Sequence, residues 1–337
     1  MGAADKRVVT QPSGAHAGKR NRFEVIHPCS PKLYKGAASD TTIQPEPIGT
    51  TWTPARPPPP FLIQPSLTVA LHFHGGGFAI GNGRDSDTGY LAQTLLQHMG
   101  CQFVCTPQYR LSSRHNSRFP APLQDAVTAY LWLLHDKGIP ARQIIVSGDS
   151  AGGTIALGLL RYIREHAAEL NVPAPAAIAL WSPWVDVAAA TQLDMRRSPN
   201  YGTDYLNKEF GQWGALAVSG YGKVDACGPY LSPLHHPFPP PAGESGSGGG
   251  TVSMFVHGGD REVLWDDIQL VAKRYGEVGW KVNLGVSRHC PHDILLLGSR
   301  IGFEREAKAA AAEAQEFFAA TTGLKLLGGR ATGQGSG

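Results

Sequence analysis

"QIIVSGDSAGGTIALGLLRYIREHAAEL", residues Gln143 to Leu170, changes character in its middle. Ile144, Ile145 and Val146 make a short β-branched run, the composition of a buried strand. The stretch from Gly153 onward reads as a long helix. Between them stands G-x-S-x-G: Gly148, Ser150 and Gly152. Small residues let a strand turn tightly into a helix, and such a turn thrusts the serine hydroxyl out over the sheet edge. The pattern alone is weak in this chain, because 41 glycines in 337 residues is about 12%, against a usual ~7%. Its position between a strand and a helix is what gives it weight.

The same alternation extends in both directions. "LTVALHFH", "CQFVCTPQYRL", "AAIALWSPWVD", "TVSMFVHGG" and "WKVNLGVS" read as further strands. Helical spacing marks "SDTGYLAQTLLQHMG", "APLQDAVTAYLWLLHDKG", "LWDDIQLVAKRYGEVG" and "FEREAKAAAAEAQEFFAAT". Strands alternating with helices predict an α/β fold, a mostly parallel central sheet flanked by helices. Ligands gather beyond the carboxyl ends of such strands. The alternation lapses over residues 187–236, an aromatic-bearing segment that reads as an insertion forming a helical cap. Residues 61–186 and 237–322 are the expected core, residues 1–60 a polar, irregular segment contributing to the cap, and residues 323–337 a flexible tail. "ARPPPPFLIQP" cannot be regular helix, and "GESGSGGG" reads as a linker. Cys101 and Cys105 read as buried thiols on one strand face.

A serine nucleophile needs a base and a group that orients the base. "HGGDREVLWDD" ends one strand and offers Asp260, Glu262, Asp266 and Asp267. "SRHCPHDILLLG" follows the last strand and offers His289 and His292. A second glycine cluster, "HGGGFAIG" from His74, ends an earlier strand. Its backbone amides suit an anion that exists only during acyl transfer. A phosphate loop would need a lysine that is missing here, and a dinucleotide fingerprint fails because Ile80 stands at its third glycine position.

Taken in order, "HGGGF", "YRLS", "FPAPLQDA", "GDSAGG", "SPWVD" and "PHD" resemble the hormone-sensitive-lipase-like branch of the α/β-hydrolases, from about Leu67 to Phe318. That resemblance implies an α/β-hydrolase fold and a serine carboxylesterase or lipase-like hydrolase. Such an enzyme would cleave uncharged, short-to-medium acyl esters through an acyl-enzyme. It implies Ser150 as nucleophile, Gly76, Gly77 and Ala151 as the oxyanion hole, His74 as support of the glycine loop, and His292 as base. Two stretches depart from the family. "YRLSSRHNSRFPAP" replaces the usual "YRLAPE", and the acid segment is offset. The family pattern G-x-x-D-x-L-x-D-[DE], laid without a gap from Gly259, puts Glu262 at the acid position. Asp260 is the alternative and needs a two-residue insertion. A different reading is a non-catalytic small-molecule receptor on the same scaffold, as in plant gibberellin receptors, which lose the base.

Composition narrows the partners. A net charge of +3 without basic blocks argues against nucleic acid. Five scattered cysteines argue against a secreted disulfide framework. No apolar run is long enough for a membrane span. The chain is expected to be cytoplasmic, to act on a small-molecule ester and to need no cofactor or metal. A homodimer is one candidate for its assembly.

Overall fold

A computed structural model of the protein describes residues 22–57, 67–241 and 252–327. The expectations for the first 21 residues, for most of the proline-rich lead-in, for the glycine–serine linker and for the tail beyond Leu327 lie outside the described residues.

Eight strands form one sheet: β1 (Phe23–Ile26), β2 (Ile48–Thr53), β3 (Val69–Phe73), β4 (Phe103–Gln108), β5 (Ile144–Asp149), β6 (Ala177–Trp181), β7 (Ser253–Gly259) and β8 (Lys281–Ser287). Their order is β1-β2-β4-β3-β5-β6-β7-β8. From β4 across to β8 all neighbours run parallel, and β1 and β2 add an antiparallel edge. The helices among the described residues are α1 (Asp85–Gln97), α2 (Ala121–His135), α3 (Ala151–Leu170), α4 (Ala189–Gln192), α5 (Lys208–Val218), α6 (Trp265–Glu277), α7 (Ile294–Ile301) and α8 (Glu304–Thr322). None is long and apolar enough to cross a membrane.

The strands sort their side chains by the period of two. Val69, Leu71, Val146, Ile178 and Val256 face one layer with α2, α3 and α6. Ala70, Ile145, Ala179 and Phe255 face the other with α1 and α8. Both faces are therefore apolar, as a covered parallel sheet requires. Cys105 and Cys101 fall in opposite layers, not on one face. The strand starts only at Phe103, so its alternation does not reach back to Cys101.

Strands β1 and β2 come from the segment read in sequence as polar and irregular cap. β1 has only four residues, and β2 is "IGTTWT", buried at all six positions. Neither shows an apolar alternation that would mark a strand. The stretch between them is strapped across α2. Gln124 Nε2 donates to the carbonyls of Ala38 and Ile43, at 2.9 and 2.8 Å. Arg110 Nη1 donates to Gln44 O at 2.7 Å, while its other nitrogens grip Asp125, with Nη2 to Oδ1 at 2.8 Å. The start of the expected flexible tail is also tied down: Leu327 N–H donates to Gly100 O at 3.0 Å.

Residues 187–236 hold the short α4 and the longer α5, which is capped by Asn207 accepting from Phe210 N–H at 2.9 Å. α5 lies directly on the first glycine loop. A methyl on Gly214 would stand 2.4 Å from Gly77 O. α7 is a further helix that the sequence reading left as an apolar run; its N-cap is Asp293, which accepts from Leu296 N–H.

Arg110 and Asp125 are a buried pair with one guanidinium and one carboxylate, so removing the carboxylate strands a charge. Asp125→Ala should lower unfolding free energy by roughly 3–5 kcal/mol in urea titrations. An unchanged midpoint and slope would show the pair to be dispensable.

Candidate active site

Four parallel strands end within reach of one another, and each delivers a part of the site. β5 ends at Asp149, and Ser150 turns the chain into α3 with φ +48°. The turn is tight because nothing separates the crossing segments: a methyl on Gly152 would lie 1.9 Å from Phe73 O. Three backbone bonds hold the elbow. Ser150 N–H donates to Trp181 O, and Ser150 O accepts from the amides of Gly153 and Trp184, all at 2.9 Å.

β3 ends one residue before His74 and the glycine loop. Gly76 has φ +99°, and a methyl there would lie 2.3 Å from Ile80 O. Gly76 O accepts from the amides of Ala79 and Ile80, which curls the loop back on itself. No described residue accepts from the amides of Gly76, Gly77 or Ala151. Ala151 opens α3, whose positive dipole end adds to the field at that spot. His74 Nδ1 donates to Gly75 O at 2.7 Å, and its ring stacks on Tyr109 with centroids 4.4 Å apart. Burial pushes the His74 pKa down to about 4, so the ring is neutral. The departing "YRLSS" loop closes on the same place. Ser112 N–H donates to Phe78 O at 2.7 Å, and Ser113 Oγ donates to Ala79 O at 2.6 Å.

The expected base and acid follow the ends of β8 and β7. His292 Nε2 lies 2.9 Å from Ser150 Oγ, and His292 Nδ1 lies 2.7 Å from Glu262 Oε2. The other Glu262 oxygen accepts from Gly259 N–H at 2.6 Å and from Ser182 Oγ at 2.9 Å. Both Glu262 and His292 are buried. Asp260 points elsewhere: its Oδ1 accepts from His289 N–H at 2.6 Å. Asp266 and Asp267 sit in the first turn of α6.

Burial alone would lower the His292 pKa. The bond and charge of Glu262, with smaller contributions from Asp293 and Asp204, outweigh it and push the value up to about 9. Burial raises the Glu262 pKa against the pull of His292, Gly259 and Ser182.

Several residues that support the site were not singled out in sequence, although one of them, Ser182, opens the quoted "SPWVD". Asp204, in the segment before α5, accepts at Oδ1 from His292 N–H at 3.2 Å and at Oδ2 from Val263 N–H at 2.8 Å. Asn200 Nδ2 donates to the carbonyls of Asp260 and Glu262. Tyr205 sets its ring edge-on to His292, with centroids 5.9 Å apart. Ser182 links Glu262 to the Asp293 amide, which donates to its Oγ at 3.0 Å. Lone polar residues in irregular chain make no periodic pattern, and their partners lie far away in sequence.

Below Ser150 opens a narrow slot of about 20 Å³, with Gly77, Leu206 and Phe210 among its walls. A larger cavity of about 500 Å³ adjoins it and shares Trp184, Met195 and Leu264 as walls.

Comparison with known proteins agrees with this architecture. Residues 70–296 match a family model described as the α/β hydrolase fold. An ethyl acetate hydrolase of Pseudomonas putida is 29% identical over 245 residues, covering 70% of each chain. An acetyl-hydrolase of Streptomyces hygroscopicus is 36% identical over 118 residues, covering 35% of this chain and 36% of its own. An esterase of Mycobacterium tuberculosis is 37% identical over 144 residues, 41% of this chain and 40% of its own. The chain thus spans less than half the length of two of these three relatives. Among solved structures, an esterase of the bacterial hormone-sensitive lipase family superposes with a TM-score of 0.63 at 28% identity, covering 81% of each chain. A hormone-sensitive lipase from a metagenome library gives 0.60 at 26% identity, covering 77% of this chain and 80% of its own. The chain belongs to the α/β-hydrolase fold family, in its hormone-sensitive-lipase-like branch.

Proposed function

We propose that this protein is a serine carboxylesterase acting on uncharged esters with a short acyl group. The observation that carries the reading is the continuous chain Ser150 Oγ, His292 Nε2, His292 Nδ1, Glu262 Oε2, with links of 2.9 and 2.7 Å, beside three amides free to receive an oxyanion. In this mechanism His292 takes the Ser150 proton as Oγ attacks the ester carbonyl. Glu262 stabilises the imidazolium that results. The amides of Gly76, Gly77 and Ala151 hold the tetrahedral oxyanion. His292 then gives its proton to the leaving alcohol, and water, activated by the same imidazole, hydrolyses the acyl-enzyme.

The narrow slot lined by Ser150, Gly77 and Phe210 supports a short acyl group such as acetyl. The adjoining 500 Å³ cavity would take the alcohol moiety. The acetyl-hydrolase and ethyl acetate hydrolase relatives point the same way. The receptor reading requires loss of the base, and His292 is present and bonded to Ser150.

A fluorophosphonate probe should label the wild type and leave Ser150→Ala untouched. That variant should also lose about 10⁶-fold in turnover. Labelling of the variant, or substantial residual turnover, would remove Ser150 from the nucleophile's role.

Only neutral His292 can accept the serine proton, so a raised pKa moves activity to higher pH. The rate should fall with decreasing pH through a midpoint above histidine's usual ~6.5. Glu262→Gln should lower that midpoint, because a neutral amide no longer favours the imidazolium. It should also cut turnover by roughly 10⁴-fold. Asp260→Asn should leave both nearly unchanged, since an amide oxygen can still accept from His289. The opposite ranking would make Asp260 the acid.

Phe210 is one wall of the slot, with its ring against Gly77. On p-nitrophenyl esters, Phe210→Ala should move the preferred acyl group from acetyl toward butanoyl or longer, with little change in melting temperature. An unmoved preference would place the acyl group elsewhere.

A further inference from the structure

The inserted segment touches the loops of Glu262 and His292 in a way that the mechanism above does not use. Residues 200–204 lie along the backbone of residues 260–263 and engage each of them. Asn200 Nδ2 donates to Asp260 O at 3.2 Å and to Glu262 O at 3.0 Å. Thr203 Oγ1 donates to Arg261 O at 3.0 Å. Asp204 Oδ2 accepts from Val263 N–H at 2.8 Å. The stretch is braced from within, because the amides of Thr203 and Asp204 both donate to Asn200 O, at 3.0 and 3.1 Å. Of these three side chains, Asp204 alone is bonded to the loop of His292 as well. Its Oδ1 accepts from His292 N–H at 3.2 Å and from Tyr205 N–H at 2.8 Å.

The place of that bridge matters. Close to the strands the two loops bond directly. Asp260 N–H donates to Ser287 O and Arg261 N–H to Cys290 O, both at 3.1 Å. Among the described residues these backbone bonds go no further than Cys290. Beyond it the loops are joined through Ser182 and through the Glu262–His292 bond itself, and both of those links run through the Glu262 side chain. A glutamate has one more torsion than an aspartate, so such links leave its backbone free to shift. We propose that Asp204 is a positioning residue for the esterase reaction: by holding the amides of Val263 and His292 on one carboxylate, it sets the separation of the backbones that carry Glu262 and His292.

A carboxylate suits this task. It offers two accepting oxygens and no hydrogen that would oppose an amide. Hydrogen bonds to an ionised acceptor are also roughly twice as strong as neutral ones. The separation acts on the chemistry through the 2.7 Å contact of Glu262 with His292 and the 2.9 Å contact of His292 with Ser150. A misplacement of about 1 Å in such a geometry costs on the order of 10²-fold in rate. Asp204 itself is not a wall of the slot or of the larger cavity, although Pro199 and Leu206 on either side of it are. Its removal should therefore act on kcat and not on KM.

Kinetics on p-nitrophenyl acetate test the role, and this arm rests on the esterase reading. Asp204→Ala should lower kcat at least about tenfold with KM within about twofold. Thr203→Ala gives up a bond to one loop only and should lower kcat by no more than about threefold. An unchanged kcat in Asp204→Ala overturns the proposal. So does a raised KM with kcat intact, or an equal loss in Thr203→Ala, which would reduce Asp204 to a general anchor of the inserted segment. A second arm needs no substrate. The hydrogen that His292 Nδ1 shares with Glu262, recorded with His292 protonated, gives a far-downfield proton NMR resonance, assigned by its loss in Glu262→Gln. Asp204→Ala should shift or broaden it, and an unmoved resonance overturns the proposal. Asp204 is half-buried, so water can replace it at both amides and the variant should fold. If it does not, Asp204→Asn decides by the same two readouts. Its amide keeps one accepting oxygen and turns hydrogens toward the other donor, so it can hold only one of the two loops. Because the resonance is independent of turnover, a wild type inactive on esters would overturn the esterase reading alone.

Discussion

The crossing of α3 over the end of β3 leaves no room for a side chain, and the rest of the site is arranged around that contact. With 1.9 Å between a would-be methyl on Gly152 and Phe73 O, the chain must reverse within one residue. Ser150 absorbs the reversal in the left-handed region, at a cost of about 1–3 kcal/mol that the surrounding sheet must offset. The glycine loop leaves β3 immediately after Phe73. The same close approach therefore sets the nucleophile's exposure and the starting point of the loop whose amides face it.

The other parts are spread over the sheet yet converge. Glu262 follows β7 and His292 follows β8, two neighbouring strands whose loops curl back toward β5. These short loops are fastened to each other, Asp260 Oδ1 accepting from His289 N–H, and to the segment inserted before α5. Asn200 holds the carbonyls on either side of Arg261, and Asp204 holds the amides of Val263 and His292. The inserted segment thus orients the loops that carry Glu262 and His292 as well as walling the cavities.

Much of this was legible in sequence, for reasons that can be named. The six parallel strands announced themselves because a sheet covered on both faces needs unbroken apolar runs. The elbow was legible because only small residues survive there. The ungapped pattern pointed to Glu262 over Asp260, and it is Glu262 that lies 2.7 Å from His292. What stayed hidden was held by partners distant in sequence. "IGTTWT" looks like loop until β4 pairs with it. Arg110 and Asp125 stand in the quoted "YRLS" and "FPAPLQDA", but neither stretch says that the two are a buried pair. Asp149 stands in plain view beside Ser150, but nothing in one dimension says that it holds both the His72 ring and the Gly75 amide, more than 70 positions away.

The two-handed grip of Asp204 also governs how the site comes apart. One carboxylate spans the loop that carries Glu262 and the loop that carries His292, so opening either loop gives up a hydrogen bond to the same side chain. Val263 and His292 are 29 positions apart, yet one side chain, that of Asp204, protects both of their amides.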